Sequence, residues 1–296
     1  MPYLDHAATS WPKAPGVNEA MSAFLTDIGA TPGRSGHRRS KQAARVVFEA
    51  RRRLAAFLGA ADARQVVFTS GTTHGLNQVL WGWLRPGDHV VVTAMEHNAL
   101  MRPLRALAEA RGLEVSVAPA DAQGLVSAAG VANALRPHTR LVAVNHGSNV
   151  SGTVQPLRDI RAAIGDTPLL VDGAQSVGAY PIDVVAGGID FLAFSGHKAL
   201  GGPPGIGGLY VAPGRDLNPL VRGGTGSRSE HDEQPAFLPD RLEAGTPNTV
   251  GIAGLDAALC WLQTKGIDTL RAQEARLFQH LWTGVSALAG VRPLGP

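Results

Sequence analysis

Apolar residues along most of the chain fall into short β-rich runs separated by segments with helical spacing. QVVFT (65–69), HVVVTA (89–94), LEVSVA (113–118), RLVAVN (140–145), PLLVD (168–172), DFLAFS (190–195) and GGLYVA (207–212) predict seven strands. Apolar positions three and four apart predict helices over 40–58, 73–84, 98–111, 127–135 and 156–164. Pro86-Gly87-Asp88 is a turn signal before the second strand. Such alternation predicts an α/β fold, a mostly parallel sheet flanked by helices on both faces. The stretch from Gly214 to Asn248 reads as loop, and a helical pattern resumes from about Ile252 to Leu288. No internal repeat is visible.

Composition narrows the function classes. With 296 residues and 44% hydrophobic content the chain can bury a large core. Its 27 basic and 24 acidic side chains leave a net charge of only +3. The basic clusters are short (Arg38, Arg39, Lys41; Arg51 to Arg53), and the second reads as a solvated helix face, so no nucleic-acid partner is expected. No apolar run reaches about 18 residues, and MPYLDHAATSWPK lacks the basic start and apolar core of a signal peptide. The expectation is a cytoplasmic protein with no membrane partner. The single cysteine, Cys260, excludes an intrachain disulfide and an all-cysteine metal cage; in LDAALCWLQ its spacing suits a buried helix.

In a parallel sheet, ligands gather at the carboxyl ends of the strands. QVVFT runs into Ser70, Gly71, Thr72 and Thr73 directly before a helix, where free N–H groups and hydroxyls can hold an anion; a plain helix cap is the alternative. A P-loop is excluded because no Gly-Lys-Ser/Thr ending is present there or in 195–208. HVVVTA leads to Met95, Glu96, His97 and Asn98; His97 could stack on a flat ligand, move protons or simply be a hydrogen-bonded structural residue. Asp172 ends an apolar strand and needs a cation or several donors to offset its desolvation, although magnesium ligation is a rival use of such an aspartate. SGHKALGGPPGIGG then supplies Ser195, His197 and Lys198 within four positions. An aldehyde for a lysine, a ring nitrogen for a carboxylate and a phosphate for hydroxyls and N–H groups are the three handles of pyridoxal 5'-phosphate (PLP).

These motifs, in order, resemble the class V aminotransferases, a PLP-dependent fold type I family, and within it the cysteine desulfurases. The resemblance runs through YLDHAATS (3–10), TSGTTHGLN (69–77), MEHNALMRPL (95–104), NHGSNVSGTVQPL (145–157), VDGAQSVGAYPIDV (171–184), DFLAFSGHKALGGPPGIGGLYV (190–211) and RLEAGTPNT (241–249). GRSGHRRS (33–40) and GGTGSRSE (223–230) resemble a desulfurase-like subgroup. The resemblance implies Lys198 as the covalent anchor of PLP and base for the substrate's α proton. It implies Asp172 on the pyridine nitrogen, His97 on the ring face, Gln175 on the phenolic oxygen and Asn149 nearby. Gly71, Thr72 or Thr73, Ser195 and His197 would cradle the phosphate. Thr246, in EAGTPN, would reach the phosphate of the other subunit's cofactor in a homodimer with shared sites.

The implied substrate is L-cysteine or an analogue, with alanine left behind and sulfur passed on, if needed to an acceptor protein. A β-lyase, a selenocysteine lyase, an aminotransferase and a PLP-binding remnant without turnover share these site residues and stay open. The implied domains are a PLP-binding large domain with an N-terminal arm over 1–255 and, over 256–296, a linking helix and the start of a small C-terminal domain. GVRPLGP resembles the beginning of that domain, so most of it is expected to be absent, with its catalytic cysteine and carboxylate-binding arginine, and apolar surface is expected to be exposed. Cys260 has no desulfurase motif around it, and His6 stands where the family commonly has asparagine.

Overall fold

Seven strands form one sheet in the order β1-β7-β6-β5-β4-β2-β3. They are β1 (Val66–Thr69), β2 (His89–Thr93), β3 (Glu114–Ala118), β4 (Thr139–Asn145), β5 (Leu169–Asp172), β6 (Phe191–Ser195) and β7 (Gly207–Val211). Only β7 runs against its neighbours, pairing antiparallel with both β1 and β6; the other pairings are parallel. The computed structural model describes residues 3–33, 36–227 and 231–291. Arg34 and Ser35 of GRSGHRRS, Arg228 to Glu230 of GGTGSRSE and residues 292–296 of GVRPLGP lie outside the described residues.

Burial on both faces explains the uninterrupted apolar strands. Side chains alternate across the sheet, so Leu169 and Val171 of β5 join one core while Leu170 joins the other. The first core is completed by Leu54 and Leu58, at the end of α2 (Arg38–Phe57), by Ile160 and Ile164 of α6 (Leu157–Ile164), and by Ile252, Leu255, Leu259 and Leu262 of α7 (Thr249–Lys265). The second is completed by Leu76, Val79 and Leu80 of α3 (Thr72–Trp83) and by Leu100, Leu104 and Leu107 of α4 (Asn98–Arg111). The 127–135 pattern forms α5 (Ala128–Asn133). β3 closes one edge with exposed Glu114, Val115 and Val117, and its charged residue blunts that edge.

Two features differ from the sequence pattern. A short helix, α1 (Val17–Ala23), continues as a π-helical turn over Phe24–Ile28, and its few apolar contacts go to α7 and α2: Val17 packs with Ala14 and Ala258, and Phe24 with Ala43 and Ala253. The 252–288 pattern is two helices, because Gly266 (φ 79°) ends α7 and α8 (Ile267–Ser286) restarts after it. The 255/256 boundary therefore falls inside α7, and the change in burial comes at Gly266: α8 has no buried residue and exposes Leu277, Phe278 and Leu281.

Among the described residues, the long segment 214–248 has no named helix or strand, and it is anchored by Glu243. Its carboxylate takes two bonds from Arg51 (2.6 and 2.8 Å) and one from Phe68 N (2.6 Å) on β1. Among the described residues, no helix is long and apolar enough to cross a membrane.

Candidate active site at the carboxyl ends of the strands

The ends of β1 and β6 meet across a glycine. Thr69 and Ser195 both stand opposite Gly207 of the antiparallel strand β7. A Cβ on Gly207 would lie 2.7 Å from Gly71 Cα and 3.2 Å from Ser195 Cα, so only glycine lets the two ends close together. Beyond β1 the chain turns through Gly71, at φ 149°, into α3. Thr72 N donates to Ser195 Oγ at 3.0 Å, and the Thr72 and Ser195 hydroxyls lie 2.7 Å apart. A helix start with free N–H groups and two adjoining hydroxyls is an anion seat.

One strand further along lies Asp172, in register with Asn145 on β4 and Ala193 on β6. It is almost fully buried, and its carboxylate accepts one hydrogen bond, from Ala174 N to Oδ1 at 2.9 Å. Burial pushes its pKa up, opposed by the Ala174 N–H and by the charges of Lys198 and His97. Burial lowers the Lys198 pKa, with Asp172 acting against it. His97 caps α4, its Nδ1 accepting from Ala99 N at 3.1 Å, so the neutral ring carries its proton on Nε2. Thr72, Thr73, His97, Asn149, Asp172, Gln175, Ser195, His197 and Lys198 all line one cleft of about 130 Å³.

The N-terminal arm walls a larger cavity beside it, of about 620 Å³, which also reaches Lys198 and Gln175 and includes His6. Gln175 Nε2 donates to Ala7 O at 3.0 Å, so its amide ties the arm down. His197 Nδ1 lies 3.0 Å from Thr9 Oγ1, and burial followed by the Lys198 and Lys13 charges lowers its pKa.

Thr246 is exposed and does not line the cleft. Cys260 is only half-buried, because it faces the Arg53–Asp256 pair at the edge of α7; burial raises its thiol pKa, and it does not line the cleft. Glu96 was not singled out from the sequence; the residue is half-buried, yet its carboxylate Oε2 is shut off from solvent. Its Oε1 accepts from Thr93 Oγ1 at 2.6 Å and from Asn145 N at 2.9 Å, while Oε2 has no hydrogen-bond partner among the described residues. Desolvation raises its pKa to about 8. The available signal was position, since a carboxylate beside His97 at the end of an apolar strand carries the same desolvation argument as Asp172.

The residues fit PLP. Asp172 has one hydrogen bond where a buried carboxylate needs a cationic partner, which a protonated ring nitrogen supplies. Lys198 reaches the same cleft, and the Gly71-Thr72-Ser195 seat suits a phosphate. For magnesium the surroundings are less apt, since the Lys198 ammonium already acts on Asp172 and would repel a divalent cation beside it. Among the described residues no group of three or more His, Cys, Asp or Glu side chains could hold a metal ion.

The aminotransferase class-V family matches residues 2–296. A cysteine desulfurase of Salmonella newport (strain SL254) is 37% identical over 305 aligned residues, covering 99% of this chain and 75% of the relative. The apo structure of a cysteine desulfurase from Thermococcus onnurineus NA1 superposes with a TM-score of 0.92 at 32% identity, over 99% of this chain and 75% of that one. A C-DES mutant with glycine covalently linked to its PLP cofactor superposes with a TM-score of 0.86 at 28% identity, over 99% of this chain and 79% of that one.

Proposed function

Because the chain belongs to the class-V aminotransferase family, we propose that it is a PLP-dependent enzyme of the cysteine desulfurase type, acting on L-cysteine. The observation that carries the reading is the joint opening of Lys198, Asp172 and the Thr72–Ser195 seat into one cleft. When bound, PLP supplies an electron sink for the bonds at the substrate's α carbon.

The chain's own residues divide the remaining work. Burial disfavours the Lys198 ammonium, which leaves more of Nζ as the free amine that would anchor the PLP aldehyde and serve as base toward the substrate's α proton. Asp172 holds a proton at the pyridine nitrogen, and the charge of that nitrogen in turn favours the ionised carboxylate. His97, fixed by its cap to Ala99 N, covers the ring face with Nε2–H available for proton transfer. The Thr72, Thr73 and Ser195 hydroxyls would hold the phosphate, with His197 beside them and Gly71 shaping the turn behind them, while Asn149 and Gln175 would orient the phenolic edge and the substrate. Thr246 serves the phosphate of a second copy.

The overall change balances with a thiol acceptor: L-cysteine and a thiol give L-alanine and a persulfide. Cys260 does not line the cleft, so the acceptor thiol is a different one. Protein purified with PLP is expected to show a visible absorption band that Lys198→Ala abolishes. With L-cysteine and a dithiol it is expected to yield equal alanine and sulfide. A wild-type spectrum without a lysine-dependent band overturns the cofactor assignment; a band with pyruvate in place of alanine favours a β-lyase, and a band without product favours a PLP-binding remnant.

A further inference from the structure

We propose that Lys13 is a positioning residue that straps the N-terminal arm onto the peptide preceding Lys198. The inference rests on the reading of Lys198 as the PLP anchor. The carbonyl oxygen of His197 is approached by four donors from the arm: Ser10 N at 2.9 Å, Thr9 Oγ1 at 3.0 Å, Ser10 Oγ at 3.0 Å and Lys13 Nζ at 3.1 Å. A carbonyl has two lone pairs, so the two hydroxyls can turn elsewhere while the ammonium and the backbone N–H hold. Thr9 Oγ1 has such an alternative in His197 Nδ1 at 3.0 Å.

Lys13 itself is fully engaged. Its three N–H groups have three oxygens within reach, Thr9 Oγ1 at 3.0 Å, Ser10 Oγ at 3.3 Å and His197 O at 3.1 Å. All are neutral, and burial lowers the Lys13 pKa, so the ammonium is retained against a desolvation cost by directed hydrogen bonds. The turn it grips is closed on its other side: Gly201 N donates to Lys198 O at 2.8 Å, and Ala14 N donates to Gly201 O at 2.9 Å. Lys198 thus hangs from a turn whose two flanks are bonded to the arm. Lys13 and Lys198 line the same cavity, with His6, Arg271 and Glu274 as its other titratable groups. Release of the arm would open that wall beside Lys198.

The test compares wild type, Lys13→Met and Lys13→Arg, each loaded with PLP. Expected for Lys13→Met is an approximately tenfold faster loss of the lysine-dependent visible band on dilution into PLP-free buffer. Its amide exchange over residues 5–15 should be faster both with and without PLP. Lys13→Arg should recover part of both changes, which a simple filler of space would not. Thr9→Val, which removes one of the three acceptors and keeps the charge, should give a smaller change in the same direction and serves if Lys13→Met folds poorly. Wild-type rates of release and exchange in Lys13→Met, or in Thr9→Val if that variant serves, overturn the strap. Absence of a lysine-dependent band in wild type overturns the PLP reading instead, and arm exchange in the cofactor-free proteins still decides the strap.

Discussion

Glu96 joins two strand ends through one carboxylate oxygen, bonding Thr93 on β2 and the backbone of Asn145 on β4. Enclosure raises its pKa from 4.5 to about 8, so the neutral acid is the form the fold accommodates at neutral pH. A raised pKa in the folded state means that the stabilisation is complete below pH 4.5 and is lost as pH rises toward 8. Each pH unit across that window removes about 1.4 kcal/mol. Glu96→Gln should therefore match wild type near pH 4.5 and exceed it by on the order of 4 kcal/mol at pH 8, read from urea midpoints. Equal midpoints for the two proteins across that range would show that Glu96 is ionised in the fold. Single residues were legible in the sequence where type and place coincided: Asp172, Lys198 and Ser195 stood at strand ends with chemistry suited to one cofactor. Glu96 stood equally well placed, but its role depends on the Asn145 backbone, 49 positions away, which no local pattern reveals.

The strands inside the sheet and helices α2, α3, α4 and α6 were legible because each buries a regular face, whereas α1 has only Val17 buried and α7 meets α8, which buries nothing, at a single glycine inside a continuing helical pattern. The antiparallel placement of β7 was not legible either, since pairing direction leaves no trace in an apolar run; the glycine pair at its start was the visible consequence. Gly207 has Phe194 O within contact of any added Cβ, in addition to Gly71 Cα and Ser195 Cα. Gly207→Ala should therefore separate the β1 and β6 ends, costing about 1–3 kcal/mol from overpacking. It should weaken PLP binding by more than its effect on the melting temperature of the cofactor-free protein would imply, because the displaced backbone is the phosphate seat itself. Titration of PLP into wild type and variant at a temperature where both are folded checks this. Unchanged PLP affinity in a destabilised variant would limit Gly207 to packing.

At the scale of the whole molecule, the cleft gathers nine of the residues expected from the sequence, while Thr246 remains exposed and apart from it. The phosphate role proposed for Thr246 requires a second copy to bring its own 246 loop to this cleft, an exchange that a two-fold dimer makes reciprocal. That arrangement predicts complementation between two damaged chains. Thr246→Asp keeps Lys198 but offers the neighbouring site a negative charge in place of a hydroxyl, and Lys198→Ala keeps Thr246 but has no anchor. Each homodimer should lack the visible band or bind PLP weakly. Co-expressed, the two should form mixed dimers in which the Thr246→Asp chain keeps its lysine and receives an intact threonine from its partner. The band should then return in the mixture, with PLP affinity close to wild type at that one site, while the cofactor-free Thr246→Asp chain keeps its folding stability because residue 246 packs against little. A mixture that shows no more band than its components separately would place the 246 loop outside the site in either copy.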